Sequence, residues 1–260
     1  MINYLIIIQA RMRSTRLPGK VLKNILGKPM LWYVIKRLEE INHNVQIIIA
    51  TGHLKANKPI VDFAKENEIH YYIGSENDVL DRYYKASKNF QGKNIIRITS
   101  DCPLIDPNLI DEMIDLYSES DFDYYSNVHP PSYPDGLDTE IFRFKALEIA
   151  WKKAILPSER EHVTPYIWKN NDNRFKIGNH ENRVDLSNFR LTVDTPEDFK
   201  LLSNIIENFH DNWTDLKIYD VIKYLSKNKE LLKINKEFER DEGYIKSLEE
   251  DKKFLKGEKK

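Results

Sequence analysis

Short apolar runs alternate with amphipathic stretches through the first half of the chain. The runs at 4–9 (YLIIIQ), 45–50 (VQIIIA) and 94–99 (NIIRIT) have the continuous apolar character of strands that are buried on both faces of a parallel sheet. The stretch at 31–38 instead repeats apolar residues at helical spacing. Strands that alternate with helices need crossover connections, so the sequence predicts an α/β fold with a mostly parallel sheet.

The same patterns locate the remaining elements. We predict further strands at 69–73, 122–127, 139–144 and 189–193, and further helices at 59–67, 79–88, 107–117, 146–154, 159–169 and from Pro196 onward. The segment 128–138 (VHPPSYPDGLD) is rich in proline, which predicts a long loop of the kind that is more often functional than idle. Without a linker or an internal repeat, we expect one domain over 1–260, with a helical extension over about 211–260.

Composition argues against several classes of protein. The 260 residues carry 40 basic and 41 acidic side chains, a balance that disfavours a nucleic-acid partner. Cys102 is the only cysteine, so an intrachain disulfide or a cysteine-based metal cluster cannot form. No run approaches the ~18 apolar residues that span a bilayer, and the N-terminal run is too short for a signal peptide. We therefore expect a cytoplasmic protein without a membrane partner.

A cationic loop follows the first predicted strand. The segment ARMRSTRLPGK carries Arg11, Arg13, Arg16 and Lys20 and no acidic residue. Such a charge run is often only a solvated loop. Here it leaves a buried strand directly and contains Pro18-Gly19, which favours a site for a polyphosphate.

Carboxylates follow two other predicted strands. Asp101 comes after the strand at 94–99 and Asp194 after the strand at 189–193. Ligands of open α/β sheets bind beyond the carboxyl ends of the strands, so these groups are predicted to meet the cationic loop. Carboxylates there suit Mg²⁺, which takes oxygen ligands together with substrate phosphates. Each also has an ordinary interpretation, because Asp101 suits a turn and Asp194 suits the N-cap of the helix that follows.

Other motifs of nucleotide enzymes do not occur in the sequence. It contains neither G-x-x-x-x-G-K-[ST] nor G-x-G-x-x-G, which disfavours a P-loop ATPase and a dinucleotide enzyme. His129, His162 and His180 are too scattered for a zinc site. We interpret His162 as a packing or hydrogen-bonding residue rather than a general base.

Several segments together resemble one known family. They are IIIQARMRSTRLPGKVL, GKPML, GSENDVLDRYYKA, RITSDCPLIDP, PDGLDTEIF, REHVTPYI, LTVDTPEDF and RDEGYIKSLEED. In this order they resemble the cytidylyltransferases that include CMP-sialic acid and CMP-3-deoxy-octulosonate synthetases. They are more similar still to the branch named for spore coat polysaccharide biosynthesis. The resemblance runs from residue 2 to about 252.

The resemblance implies a fold and a reaction. The fold would be the Rossmann-like fold of nucleotide-diphospho-sugar transferases, with a mostly parallel sheet flanked by helices and a helical C-terminal segment. The reaction would join CMP from CTP to a sugar acid or related small acceptor, for surface-glycan synthesis, and would release pyrophosphate. Mg²⁺ would be required. Relatives are often dimeric, so we expect a homodimer.

The resemblance also assigns roles to residues. The loop residues Gln9, Ala10, Arg11, Arg16 and Lys20 would bind the nucleotide, Asn77, Asp78 and Arg82 would lie near its base and ribose, Asp101 and Asp194 would hold Mg²⁺, and Asp138, Glu140 and His162 would face the acceptor. Arg11, Lys20 and Asp101 would be the catalytic groups among them. An acidic acceptor would need a further cation, for which Arg143, Arg160 and Arg183 are candidates.

One position departs from the family pattern. Relatives usually have glycine where this chain has Arg13. Glycine permits a positive φ or a close backbone approach to phosphate, so Arg13 implies either a different loop path or an extra cation. Two other functions therefore stay open: a glycosyltransferase that uses a nucleotide-sugar donor, and an inactive nucleotide-binding subunit.

Overall fold

A seven-stranded sheet lies at the centre of the computed structural model, which describes residues 2–257. The strands are β1 (Ile2–Gln9), β2 (Asn24–Ile25), β3 (Lys28–Pro29), β4 (Val45–Thr51), β5 (His70–Ile73), β6 (Gly92–Thr99), β7 (Tyr124–Ser126), β8 (Glu140–Arg143) and β9 (Ile177–Asn179). The helices are α1 (Met30–Leu38), α2 (Leu54–Glu66), α3 (Val79–Asn89), α4 (Pro107–Ser118), α5 (Phe144–Lys153), α6 (Pro157–His162), α7 (Pro165–Lys169), α8 (Pro196–Asn208), α9 (Ile218–Lys227) and α10 (Glu242–Leu255). The predicted domain limits, 1 and 260, lie outside the described residues.

The sheet has the strand order β5-β4-β1-β6-β8-β7-β9. Its first four strands are parallel, β8 runs antiparallel to both of its neighbours, and β7 pairs in parallel with β9. The prediction of a mostly parallel sheet flanked by helices is confirmed. No helix among residues 2–257 is both long and apolar enough to cross a bilayer.

Strand β1 explains why a continuous apolar run is needed. Ile6 and Ile8 point into one hydrophobic cluster, whereas Leu5 and Ile7 point into a second cluster on the opposite face. Successive side chains of a strand point to opposite faces, so only an uninterrupted apolar run can serve two cores. Helices therefore cover both faces of the sheet, and polar side chains can be accommodated at the ends of the strands.

The carboxyl ends of the central strands meet at one edge. Gln9 at the end of β1 pairs with Ala50 of β4 and with Thr99 of β6. The loops that leave these strands consequently start side by side. This register brings the cationic loop and the loop of Asp101 together.

Two predicted elements are wrong. The segment 189–193 is not a strand: it forms only a single bridge, between Arg190 and Asp135 of the loop 128–138. Proline lacks a backbone N–H, so the proline-rich partner cannot extend a ladder. The helix expected at 159–169 is two short helices, α6 and α7, separated at Val163, whose φ is +72°.

Three short strands were not predicted. β2 and β3 form a small antiparallel pair around the turn at Leu26-Gly27, where both residues have positive φ. β9 adds a seventh strand to the main sheet beside β7. Strands of two or three residues show no alternation, so the pattern at these positions carries no signal.

Candidate active site

The cationic loop is anchored by two apolar side chains. Leu17 and Val21 are buried in the core, while Arg11, Arg13 and Arg16 remain exposed. Gly19 has a φ of +69° and starts the short 3₁₀ turn Lys20–Leu22. Lys20, the first residue of this turn, is buried, unlike the three arginines.

Lys20 occupies the junction of three loops. Its Nζ donates to Asp101 Oδ2 at 2.7 Å, to Asp194 Oδ1 at 2.8 Å and to the backbone oxygen of Val193 at 2.7 Å. The two carboxylates that the sequence predicted as a pair therefore converge on one point. A cation is already stabilised at that point.

Charge, rather than burial, controls the ionisation of this cluster. Burial alone would lower the pKa of Lys20, but the carboxylates of Asp101 and Asp194 raise it above its ordinary value. Burial alone would raise the pKa of Asp101, but the Lys20 ammonium holds it below its usual range. Both shifts keep the ion pair charged around neutral pH.

Asp194 is held beside Asp101 by the backbone, and it is not the N-cap of α8. The N–H of Val193 donates to the carbonyl of Asp101 at 2.9 Å. The cap is Thr195, whose side chain accepts from the N–H of Asp198 while the Asp198 carboxylate accepts from the N–H of Thr195. The alternative interpretation of Asp194 as a cap is wrong, and its carboxylate instead pairs with Lys20, Arg16 and Arg190.

Arg190 is a central residue that sequence reasoning missed. Its guanidinium donates to Asp135 at 2.8 Å, to Asp194 at 3.1 Å and to Asp198 at 3.0 Å. These carboxylates come from the loop 128–138 and from both sides of the α8 cap. Asp194 and Asp198 are near Arg190 in the sequence, but Asp135 is 55 residues away, so local spacing could not reveal the whole cluster.

Helix α10 forms one wall of the site. Glu242 of its first turn pairs with Arg16, and Ser247 Oγ lies 2.9 Å from His162 Nε2. Asp251 fixes the helix further along, since it accepts from the backbone N–H of Ser158 at 2.8 Å. Part of the C-terminal extension is therefore a structural component of the cleft.

A cleft of about 780 Å³ collects most of the predicted residues. Those that line it are Gln9, Ala10, Arg11, Arg16, Lys20, Arg82, Asp101, Asp138, His162 and Asp194. The cleft also contains Arg13, which is exposed, has no ion pair among residues 2–257 and is not a residue of positive φ. Its backbone does not need the freedom of glycine, so Arg13 is an additional cation of the loop.

Three predicted residues do not line the cleft. Glu140 is only 4% exposed and lies behind the cleft wall, where it pairs with Arg97 and accepts from Tyr124 Oη at 2.8 Å. Asp78 caps α3 and accepts two bonds of 3.1 Å from the Nε of Arg160. Asn77 is exposed outside the lining. Direct contact of Glu140 with an acceptor is therefore contradicted, because its carboxylate is consumed by the buried pair.

The cations suggested for an acidic acceptor are also misplaced. Arg143 of β8 pairs in register with Asn94, near the start of β6. It therefore lies at the opposite end of the strands from Asp101, which follows the carboxyl end of β6. Arg160 is held by Asp78, as described above, and Arg183 is exposed without lining the cleft. Among described residues, the cleft instead presents Lys246 of α10, which is exposed and forms no ion pair.

Four buried polar atoms of cleft-lining residues lack partners among residues 2–257. They are Gln9 Oε1, Arg82 Nε, Arg97 Nε and Tyr244 Oη. Arg82 is 1% exposed, and its Nη1 donates to the carbonyl of Ser75 at 2.7 Å; within the described residues it forms no direct ion pair, although the charges of Glu76 and Asp78 act on it. Burial lowers the pKa of Arg82 from its ordinary value. Unsatisfied buried groups are uncommon, and here they fit a polar ligand.

The family assignment agrees with this geometry. The sequence model of a family described as cytidylyltransferase matches residues 5–258. The chain belongs to the cytidylyltransferase family.

Several known proteins are similar to this chain over most of its length. An uncharacterised protein of Methanocaldococcus jannaschii is 39% identical over 231 residues, which are 88% of this chain and 93% of that protein. The spore coat polysaccharide biosynthesis protein SpsF of Bacillus subtilis is 30% identical over 235 residues, 87% and 95% of the two chains. The structure of a cytidylyltransferase from Leptospira borgpetersenii superposes with a TM-score of 0.82 at 34% identity, covering 89% of this chain and 97% of that one. The predicted fold class is confirmed.

The cap assignment allows the role of Asp194 to be isolated. Thr195→Ala should lower the free energy of unfolding by about 1 kcal/mol and leave divalent-metal affinity unchanged. Asp194→Ala should weaken metal affinity, because it removes one of two convergent carboxylates and leaves the cap intact. Thermal denaturation and a Mn²⁺ titration would measure the two effects. Equal metal affinity in both variants would exclude Asp194 as a ligand.

Proposed function

We propose that the protein transfers CMP from CTP to a small acceptor and releases pyrophosphate. The observation that carries this proposal is the convergence of Asp101 and Asp194 on Lys20 at the end of an acid-free cationic loop. Membership of the cytidylyltransferase family supports CTP as the donor. In the reaction, an acceptor oxygen would bond to the α-phosphorus, and the bond from that phosphorus to the pyrophosphate oxygen would break.

The loop supplies positive charge where the leaving group needs it. Arg11 is 3.4 Å from Glu161, and Arg16 is 3.0 Å from Asp194. Both guanidinium groups are partly exposed, and exposed ion pairs contribute little, so phosphate oxygens can replace the carboxylates. Guanidinium groups bind phosphate oxygens bidentately, and fixed cations stabilise the charge that develops on pyrophosphate.

The donor set also suits a divalent metal, for which we propose Mg²⁺. Asp101 and Asp194 would hold it, since Mg²⁺ is usually bound by one or two carboxylates together with substrate phosphates. When bound, the ion would neutralise charge on the triphosphate. Lys20 already marks the point where these carboxylates stabilise a cation.

The acceptor would occupy the part of the cleft beside α10. We propose a sugar acid or related small molecule, whose carboxylate Lys246 could pair with and whose hydroxyls Asp138 and His162 could bind. Burial lowers the pKa of His162 below its ordinary value, so the imidazole is neutral near pH 7 and can accept or donate a hydrogen bond. We also propose that the protein is a homodimer. Light scattering would measure its molecular mass in solution.

A pyrophosphate-release assay tests the function. The assay would combine each of the four nucleoside triphosphates with Mg²⁺ and a panel of sugar acids and neutral sugars. We expect release only with CTP and an acceptor. If CTP binds but no acceptor supports the release of pyrophosphate, the result would support an inactive nucleotide-binding subunit. Transfer of a sugar from a nucleotide-sugar would support a glycosyltransferase. Either result would overturn the proposal.

The pair between Glu242 and Arg16 predicts competition with the triphosphate. Glu242→Gln should tighten CTP binding by about two- to fivefold, because the guanidinium then has one carboxylate, that of Asp194, to exchange for phosphate instead of two. Isothermal titration calorimetry would measure the change. Glu249→Gln removes the same charge from an exposed position of α10 outside the cleft and should have no effect. An equal gain in both variants would indicate a general charge effect.

A further inference from the structure

The backbone of the cationic loop is fixed at Met12. The Met12 N–H donates to Asn57 Oδ1 at 2.8 Å, and the Met12 carbonyl accepts from the Gly19 N–H at 3.0 Å. Both polar backbone groups of one residue are thus held, one by α2 and one by the far end of the loop. The segment between these residues contains Arg13 and Arg16.

Asn57 is built to present its oxygen to the loop. It is fully buried, and its backbone leaves helical geometry within α2, with φ −116° and ψ 17°. Its Nδ2 donates to the carbonyl of His53 at 3.1 Å and to Glu76 Oε2 at 2.8 Å. Two acceptors on the amide nitrogen fix the direction of the side chain, so Oδ1 faces Met12.

Glu76 in turn is held in a space that only glycine leaves open. The same oxygen, Oε2, accepts from the N–H of His53 at 3.0 Å. A Cβ on Gly52 would lie 1.9 Å from that oxygen. The carboxylate is 9% exposed and forms no direct ion pair with Lys or Arg among residues 2–257. The Glu76 carboxylate is held by the hydrogen bonds from Asn57 and from the backbone of His53, with the guanidinium of Arg82 near enough to interact electrostatically.

We propose that Asn57, oriented by Glu76, is a positioning residue for the loop that binds the triphosphate. Neither residue lines the cleft, so both act through Met12. The expected effect on triphosphate binding rests on the proposed function, whereas the hydrogen bonds that hold the loop through Asn57 do not. It also explains how the loop accepts Arg13, since a side-chain hydrogen bond at Met12, rather than a glycine at 13, defines its path.

Asn57→Ala tests the brace. Loss of the acceptor leaves the Met12 N–H without its partner, so CTP·Mg²⁺ should bind about tenfold more weakly, while CMP binding changes less than about twofold. Isothermal titration calorimetry measures both. Asn67→Ala is the matched control: Asn67 ends the same helix and also donates to a carbonyl four residues back, at 2.8 Å, but does not contact the loop. It should leave both affinities unchanged.

Gly52→Ala provides a second route to the same effect. The added Cβ displaces the Glu76 carboxylate and lies 3.1 Å from Asn57 Nδ2, so it disturbs the orientation of the amide while residue 57 stays asparagine; Gly52 does not have a positive φ that alanine would strain. This variant should reproduce the selective loss of CTP affinity. If Asn57→Ala binds CTP as tightly as Asn67→Ala, the proposal is overturned.

Amide hydrogen exchange separates the brace from the proposed function. Without any nucleotide, exchange over residues 11–20 should be at least about tenfold faster in Asn57→Ala than in Asn67→Ala. A wild-type protein that binds no triphosphate would refute the proposed function, and equal exchange over 11–20 would refute the brace. The two failures are therefore distinguishable.

Discussion

Lys20→Met is expected to lower turnover by about 10²- to 10³-fold and to destabilise the protein. Turnover falls because the ammonium is the innermost fixed cation of the proposed triphosphate site. The free energy of unfolding should fall by about 2–4 kcal/mol, because Asp101 and Asp194 would face each other without the charge between them. This decrease is in the lower part of the range that is usual when a buried ion pair is broken, because about a quarter of each aspartate side chain is exposed. Pyrophosphate release and urea denaturation measure the two effects.

Lys23→Met controls for the loss of a positive charge in the same segment. Lys23 is exposed, outside the cleft, and lies over the ring of Phe199 at 5.4 Å. We expect no more than about 1 kcal/mol of destabilisation and unchanged turnover. A Lys20→Met protein that keeps wild-type turnover would remove Lys20 from the reaction.

Asp101→Asn separates catalysis from stability. The substitution keeps the size of the side chain and leaves Lys20 paired with Asp194 at 2.8 Å, so the free energy of unfolding should fall by only about 1–2 kcal/mol. Turnover should fall by at least about 10²-fold, and the Mg²⁺ concentration for half-maximal rate should rise, since one of the two carboxylates that we propose hold the metal is lost. Steady-state kinetics at varied Mg²⁺ measure both quantities.

The matched control for this variant is Asp106→Asn. Asp106 caps α4 by accepting from the N–H of Asn108 at 3.0 Å, and asparagine caps helices about as well as aspartate. Its stability and its Mg²⁺ dependence should both match the wild type. An Asp101→Asn protein with wild-type Mg²⁺ dependence would contradict the assignment of Asp101.

Periodicity and charge predicted the parts of the site that follow strands. The apolar runs around Ile6 and Ile96 fix neighbouring buried strands because both faces of those strands need apolar cover. Once they are parallel neighbours, the loops of Lys20 and Asp101 must start at the same edge. Asp194 was correctly predicted to lie beside Asp101 and Lys20, but the reason was incorrect, because the segment before it is not a strand. A backbone hydrogen bond from Val193 to Asp101 holds Asp194 in this position.

The spacing of apolar and charged residues could not predict contacts between segments that are distant in the sequence. Arg190 gathers carboxylates from two regions of the chain, and Glu140 turns inward to Arg97 although its motif suggested an acceptor. A side chain can point into a cleft or into a buried pair at the same sequence spacing. Only packing selects between them.

The sequence by itself determined the α/β architecture and the meeting of a cationic loop with Asp101, because these follow from hydrophobic periodicity and parallel register; its ordered motifs, not its periodicity, identified the family. Tertiary structure decided which charges are paired, which residue caps α8, and how the loop is held. Those outcomes depend on hydrogen bonds between residues far apart in the chain, such as Met12 with Asn57. Burial makes each such bond energetically significant, and burial is a property of the folded protein.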